Sequence, residues 1–328
     1  MTIRWHGPGE PARQLPAEHE QILASIVLRA AGLAPDHPVL SFGMDVLGSG
    51  DSKSDLVTYL KTTLPVTQFN VPGRDCAMHL SQTEDHLFGV LEPKPGLDIQ
   101  TATYGAYKAL LKVGRDMGKP HLLRLWNFMP HITTLENGDE RYRLFNTGRR
   151  KALFEEAYLA TYGAPAACAL GTHRGALKIA FLAAIRAGTP IENPRQISAY
   201  DYPKDYGVNP PVFSRATWYA QGSGQDILFL SGTASIVGHQ SRHPGDASLQ
   251  THETLKNIQA VLQQANRLAG RACWEMKNLR GQVFVRNRAD QPIIEAILKN
   301  HELVNFTYLH ADICRAELLV EIEAHAHL

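Results

Sequence analysis

Apolar positions along the chain change period several times, and each change marks an expected element. In the C-terminal part, the apolar run DILFLSGTAS (226–235) reads as a strand. After a polar loop, THETLKNIQAVLQQANRL (251–268) sets Leu255, Ile258, Val261, Leu262, Ala265 and Leu268 on one face of a helix. A strand is expected in GQVFVRN (281–287), a helix in QPIIEAILKNH (291–301) and a last strand in ICRAELLVEIEAHA (313–326), where Leu318, Val320, Ile322 and Ala324 alternate with polar neighbours. The order is strand, helix, strand, helix, strand. The first part repeats it with DHLFGVLEP (85–93), helical TYGAYKALLKVGRDM (103–117), LLRLWNFMPHI (122–132), helical GRRKALFEEAYLATYG (148–163) and ALKIAFLAAI (176–185).

Two such units are a tandem duplication rather than a solenoid, which needs three or more repeats. Prolines at 190, 194, 203, 210 and 211 favour extended backbone between the copies and mark a connector. Residues 1–84 show an expected helix over 17–31 and a strand-like PVLSFGM (38–44), read as an extension of the first copy. The expected organisation is an N-terminal domain over 1–200, with the extension and the first copy, and a second copy over 201–328.

With 328 residues the chain is long enough for two cores. Lys and Arg number 33 against 32 Asp and Glu, so no charge excess favours nucleic acid or an anionic membrane surface. No apolar stretch reaches a bilayer-spanning length, and the start MTIRWHGPGE has no apolar signal core, so a cytoplasmic protein is expected. Cysteines at 76, 168, 273 and 314 form no CxxC pair and read as reduced thiols. His239 and His243 lie in the loop-like GHQSRHPGD, which argues against a helical metal site, and Gly48–Ser49–Gly50 lacks the third glycine of a dinucleotide fingerprint. His325 and His327 are expected to fray in solvent.

The second copy resembles the Rid family (reactive-intermediate deaminases) in VFSRA (212–216), LFLSGTAS (228–235), the helix ETLKNIQAVL and the last strand VEIEA (320–324). The whole chain is more specifically similar to the chorismatases, two-domain relatives of that family. The shared blocks are RLWNFMPHI, ERYRLFNTGRR, NPRQISAYDYP, FSRATW, SGTASIVGH and ICRAELLVEIEA. The resemblance implies an α+β fold of two Rid-like units, each a curved mixed sheet with two helices packed on one face, with a degenerate first copy within 1–200 and a catalytic copy over 201–328. It also implies chorismate as the substrate, no metal and no organic cofactor. The expected products are pyruvate and 3-hydroxybenzoate, with 4-hydroxybenzoate as a candidate minor product. Hydrolysis to 3,4-dihydroxycyclohexa-1,5-diene carboxylate, Rid-type imine deamination and simple ligand binding are the alternatives, and a monomer and a homotrimer both fit.

Chorismate is a dianion carrying an enolpyruvyl ether, so its cleavage calls for cationic donors and for an acid that protonates the enol methylene. Read by spacing alone, Glu321 is a strand carboxylate on the face opposite Val320 and Ile322, and Ala180 stands at the equivalent place in the first copy. The acid is therefore not required by the repeat. The resemblance makes Glu321 the catalytic glutamate, and the first copy is expected to be chemically silent. Arg149 and Arg150 begin the helix expected from Gly148, an unfavourable end for cations unless an anion joins them. The resemblance assigns Arg149 and Tyr142 to substrate binding. Arg215 is a natural second carboxylate clamp, and Tyr202 in AYDYP either contributes or covers the domain junction. Gly232 would admit substrate close to a strand, or mark a bulge. The pairing of Gly232 with Cys314 resembles the chorismatase pattern that accompanies 3-hydroxybenzoate formation.

Overall fold

The computed structural model describes residues 4–6, 21–27, 38–41, 44–47, 57–73, 75–204, 207–221 and 225–328. Five strands come first: β1 (Arg4–His6), β2 (Gln21–Val27), β3 (Val39–Ser41), β4 (Asp45–Leu47) and β5 (Val57–Thr62). All but β4 form a small sheet in the order β1-β5-β2-β3. The helix expected over 17–31 is thereby corrected. Its centre is β2, antiparallel to β5 and parallel to β3; positions 17–20 and 28–31, like Gly48–Gly50, lie outside the described residues. Tertiary packing decides this, because Leu23 and Ala24 join Leu60 in the central core, and ILASIV suits a pleated surface.

The first unit runs β6 (Thr67–Val71), β7 (Cys76–Gln82), β8 (His86–Pro93), α1 (Ile99–Asp116) and β9 (His121–Pro130). The small hairpin β10 (Leu135–Glu136) and β11 (Asp139–Glu140) follows, then α2 (Arg141–Glu155), α3 (Tyr158–Tyr162), β12 (Ala166–Thr172) and β13 (Lys178–Ala184). The second unit runs β14 (Thr189–Ile191), β15 (Ala216–Tyr219), β16 (Ile227–Ala234), the hairpin β17 (Ile236–Val237) and β18 (Gln240–Ser241), and α4 (Ala247–Ala269). It ends with β19 (Arg280–Val285), α5 (Gln291–Asn300), β20 (Phe306–His310), β21 (Asp312–Ile313) and β22 (Val320–His327).

The two large sheets read β21-β12-β9-β13-β8-β7-β6 and β4-β20-β19-β22-β16-β15-β14. Position by position they are the same arrangement, and each has a parallel pair at the same place, β9 with β12 and β19 with β20. The duplication is thus written in the topology, and the fold is α+β. The units also exchange edges across the division expected at residue 200. Strand β4, from the N-terminal extension, pairs with β20, and β21 pairs with β12.

Alternation along the strands builds three layers of core. Ile179, Phe181 and Ala183 of β13 face α1 and α2, while Ala180, Leu182 and Ala184 face the second sheet. On β22, Val320, Ile322, Ala324 and Ala326 face α4 and α5. The polar residues between them, Glu321, Glu323 and His325, therefore turn toward the first sheet and are buried. This corrects the expectation that His325 frays in solvent: sheet-on-sheet packing encloses it, and burial drives its imidazole well below the ordinary pKa, leaving it neutral.

Two further boundaries differ from expectation. Helix α2 starts at Arg141, seven residues earlier than read from the sequence, and stops where Ala157 takes a left-handed φ of 48°. The last strand begins at Val320, so residues 314–319 form a loop instead of the expected strand.

Candidate active site

Between the two units lies a cavity of about 220 Å³. One wall is the start of α2, with Tyr142 and Arg143; another is the connector, with Tyr202 and Phe213. Its remaining walls come from Arg215, from Gly232 on β16, from the 314–317 loop and from Glu321 on β22. Six of the seven residues expected at the site, Tyr142, Tyr202, Arg215, Gly232, Cys314 and Glu321, border this one space, although they are scattered over nearly 180 positions in sequence. Arg149 does not border it.

Glu321 is 4% exposed. Burial, reinforced by repulsion from Glu323 and moderated by Arg124, raises its carboxyl to about 8, so it holds its proton at neutral pH. Gly232 makes the space that it occupies. A methyl group at Gly232 would stand 1.9 Å from Glu321 Oε1 and 2.8 Å from its Cδ. The glycine therefore admits the acid, and it also borders the cavity. It sits where the register of β16 against β22 shifts, between Leu230 and Thr233.

The early start of α2 changes the reading of its arginines. Tyr142, Phe145, Asn146 and Arg149 fall at i, i+3, i+4 and i+7 on one helical face. Arg149 lies in the third turn, so the argument from a helix N-terminus does not apply to it. Its guanidinium is 1% exposed, sits 5.0 Å from the Phe145 ring centre and donates from Nη2 to Asn146 Oδ1 at 2.7 Å. The Tyr142 ring stacks parallel to Phe145 at 6.4 Å, and burial raises its hydroxyl well above the ordinary tyrosine range. Close approach of the two helices of this unit is allowed by Gly148, where a side chain would strike Gln100 O of α1 at 2.3 Å.

Arg215 donates from Nη2 to Ile197 O at 2.8 Å and to Tyr202 Oη at 2.9 Å, and it lies 5.6 Å from the Tyr202 ring centre and 5.0 Å from that of Phe213. Arg315 comes to 5.4 Å from the Tyr202 ring while donating to His239 O and Ser241 Oγ. Sequence reading missed Arg315 and Arg143 as cavity cations. Both stand beside recognised residues in sequence, Cys314 and Tyr142, and that adjacency was the available signal. One wall residue, Arg215, has a buried donor without an acceptor, its Nε; Arg149 Nε and Asn146 Nδ2 are likewise unpaired but lie outside the cavity lining. An unpaired buried donor is costly, so an anionic ligand that satisfies Arg215 is favoured. Cys314 borders the cavity as a partly buried residue, and burial pushes its thiol up to about 12, so it stays protonated.

The family model described as "Chorismatase FkbO/Hyg5-like, N-terminal" matches residues 65–183. A "Chorismatase" of Streptomyces rapamycinicus is 37% identical over 254 residues, covering 74% of this chain and 75% of that protein. The chain belongs to the chorismatase family. A "3-hydroxybenzoate synthase" of Streptomyces hygroscopicus is likewise 37% identical, over 236 residues and 68% of each chain. Among solved structures, a crystal structure of a chorismatase superimposes over 99% of this chain and 98% of its own with a TM-score of 0.84 at 29% identity. That match extends over both sheets. The arrangement of the two units is therefore shared by this chorismatase chain and that structure.

Proposed function

We propose that the protein converts chorismate to 3-hydroxybenzoate and pyruvate, with Glu321 as the proton donor. The observation that carries this reading is a carboxyl kept protonated up to about pH 8 on the wall of a cavity that also presents arginines. Proton transfer from Glu321 to the enolpyruvyl methylene leaves an oxocarbenium-like centre at the ether carbon. One substrate carboxylate is taken by Arg215, whose spare Nε lies on the cavity wall, and the other by Arg149, which lies outside the cavity lining and is reached when the substrate displaces the Tyr142 ring. Tyr142 and Tyr202 orient the ring. In this division of labour the 201–328 unit supplies the acid and the 1–200 unit supplies Tyr142 and Arg149. The four cysteines are free thiols, which supports a cytoplasmic setting. No helix among the described residues is long and apolar enough to cross a membrane.

Chorismate contains the same atoms as 3-hydroxybenzoate plus pyruvate, whereas the dihydroxycyclohexadiene acid requires one water more. The aromatic route follows when the neighbouring ring hydroxyl, giving up its proton, closes onto the carbon whose bond to the pyruvate oxygen breaks; the resulting epoxide then opens at the hydroxyl's original carbon, the newly oxygenated carbon loses its hydrogen as a proton, and the oxygen takes up a proton. Holding that hydroxyl closer than any water is a proximity effect. The Cys314 thiol, un-ionised, is a wall that holds water poorly. Cys314→Ala is expected to move product from 3-hydroxybenzoate toward the diene acid, read by chromatography; an unchanged product ratio removes Cys314 from this role.

The reading as a whole is tested by incubating the purified protein with chorismate and separating the products. Equal amounts of 3-hydroxybenzoate and pyruvate are expected, and absence of both overturns it. Arg215→Ala, measured in a Glu321→Gln background so that chorismate itself serves as the ligand, is expected to weaken binding by about 1.5–3 kcal/mol, the range for a charge-assisted bond. Arg149→Lys should lose part of the affinity, because a point charge lacks the planar fork. Calorimetry giving native affinity for both variants would place the carboxylates elsewhere.

A further inference from the structure

Strand β22 presents two buried carboxylates on one face, Glu321 and Glu323, and the chemistry above uses only the first. Glu323 is also 4% exposed. Its Oε2 lies 2.6 Å from Arg124 Nη2, and Arg124 Nη1 donates to Leu230 O at 2.8 Å. Arg124, 2% exposed, belongs to β9 of the facing sheet, so this ion pair bridges the two units in the middle of their apolar interface. Well-packed apolar residues commonly join two sheets as firmly as a buried ion pair does. Its position next to the acid suggests a second task. Residues two apart on a strand share a face, about 7 Å from one another along the chain, which is close enough for strong repulsion in a dry interior.

We infer that the Arg124–Glu323 pair is a positioning device for catalysis, in which the Glu323 carboxylate, fixed by Arg124 on the strand face it shares with Glu321, opposes a second negative charge beside it. The inference rests on the reading of Glu321 as the proton donor. Other groups near Glu321 do not set this balance. Cys168 on β12, Cys314 in the loop and Tyr142 on α2 are all raised by burial and remain uncharged at neutral pH. His325, further along β22, is neutral, and β19 places Phe284 and Gln282 opposite the two glutamates. Across the cavity stand Arg143, Arg215 and Arg315 with Glu140 and Glu317. Burial is the first cause of the raised Glu321 carboxyl; among charges, Glu323 adds to it by favouring the neutral form and Arg124 opposes it.

The signature is a downward displacement. Glu323→Gln removes the repelling charge and leaves Arg124 free to attract, so Glu321 should ionise at lower pH. Arg124→Gln strips the buried Glu323 carboxyl of its cation and favours its neutral form, so repulsion and attraction are lost together and Glu321 should move less. A merely structural pair would destabilise the fold in both variants without moving this ionisation. The test is a carbon-13 NMR titration of the full-length protein labelled at the glutamate side-chain carboxyl, with the Glu321 resonance identified by its loss in Glu321→Gln. A midpoint near 8 is expected in the native chain. It should fall by about one pH unit or more in Glu323→Gln and by less in Arg124→Gln. Where Glu323→Gln does not fold, the double variant Arg124→Gln/Glu323→Gln, which buries neither charge, decides, with a midpoint still below the native one. Midpoints that coincide with the native one in the folded variants overturn the inference. Because the titration reads the carboxyl without turnover, that result is distinct from failure of Glu321 as the acid, which would appear as activity surviving in Glu321→Gln.

Discussion

Glu321→Gln is expected to lower kcat by about two to four orders of magnitude while leaving chorismate binding near native, since the amide keeps the shape of the side chain and loses only the transferable proton. A variant that keeps more than about a tenth of the native rate removes Glu321 from the chemistry. The same substitution has a second consequence, for stability. The folded-state pKa of Glu321 is raised from 4.5 to about 8, so the folded protein holds this proton more tightly than the unfolded chain, and stability falls as pH rises through that window. Glutamine does not titrate. Relative to native protein, the variant should therefore gain thermal stability as pH rises from about 5 to about 9, which melting curves at the two pH values would show.

Gly232→Ala is expected to be nearly as damaging, although it adds only a methyl group. That methyl would overlap the Glu321 carboxyl, so the acid must rotate away from its place. A displacement of about 1 Å at a reacting group can reduce the rate roughly a hundredfold. The fold should tolerate the change, because the atom displaced is the end of a side chain and not backbone. A kcat within about threefold of native, with the same products, would show that Glu321 does not need this space.

Much of this site is legible in the amino-acid sequence, for reasons that differ from residue to residue. Glu321 stands out because the first copy has Ala180 on the corresponding inner face of an equivalent strand, so the fold does not demand a carboxylate there. Its burial is not legible. Alternation of Val320, Ile322 and Ala324 with polar neighbours looks the same whether the polar face meets water or a second sheet, and only the packing of the two units distinguishes these cases. Arg149 is drawn to the site by an argument from a helix end that the chain does not have. Helix α2 starts at Arg141 directly after a hairpin, and its N-cap Glu140 makes no side-chain cap bond that would announce the start. Strands β12 and β20 escape notice because AACALGT is built of small residues with little β-branching, and FTYLH is short and set among polar loops. Gly232 draws attention by its residue type, but its closeness to Glu321 is not legible, since which atoms fill the space above a strand glycine is decided by a partner strand almost 90 residues later.

The most direct test of the mechanism is the pH dependence of kcat/KM for pyruvate release from chorismate. The acid must be protonated to work, and Glu321 is protonated below about 8. The rate should therefore hold on the acid side of that value and fall about tenfold per pH unit above it, with one ionisation governing the decline. A profile that rises through pH 8, or one that stays level well beyond it, would contradict a neutral Glu321 as the proton donor.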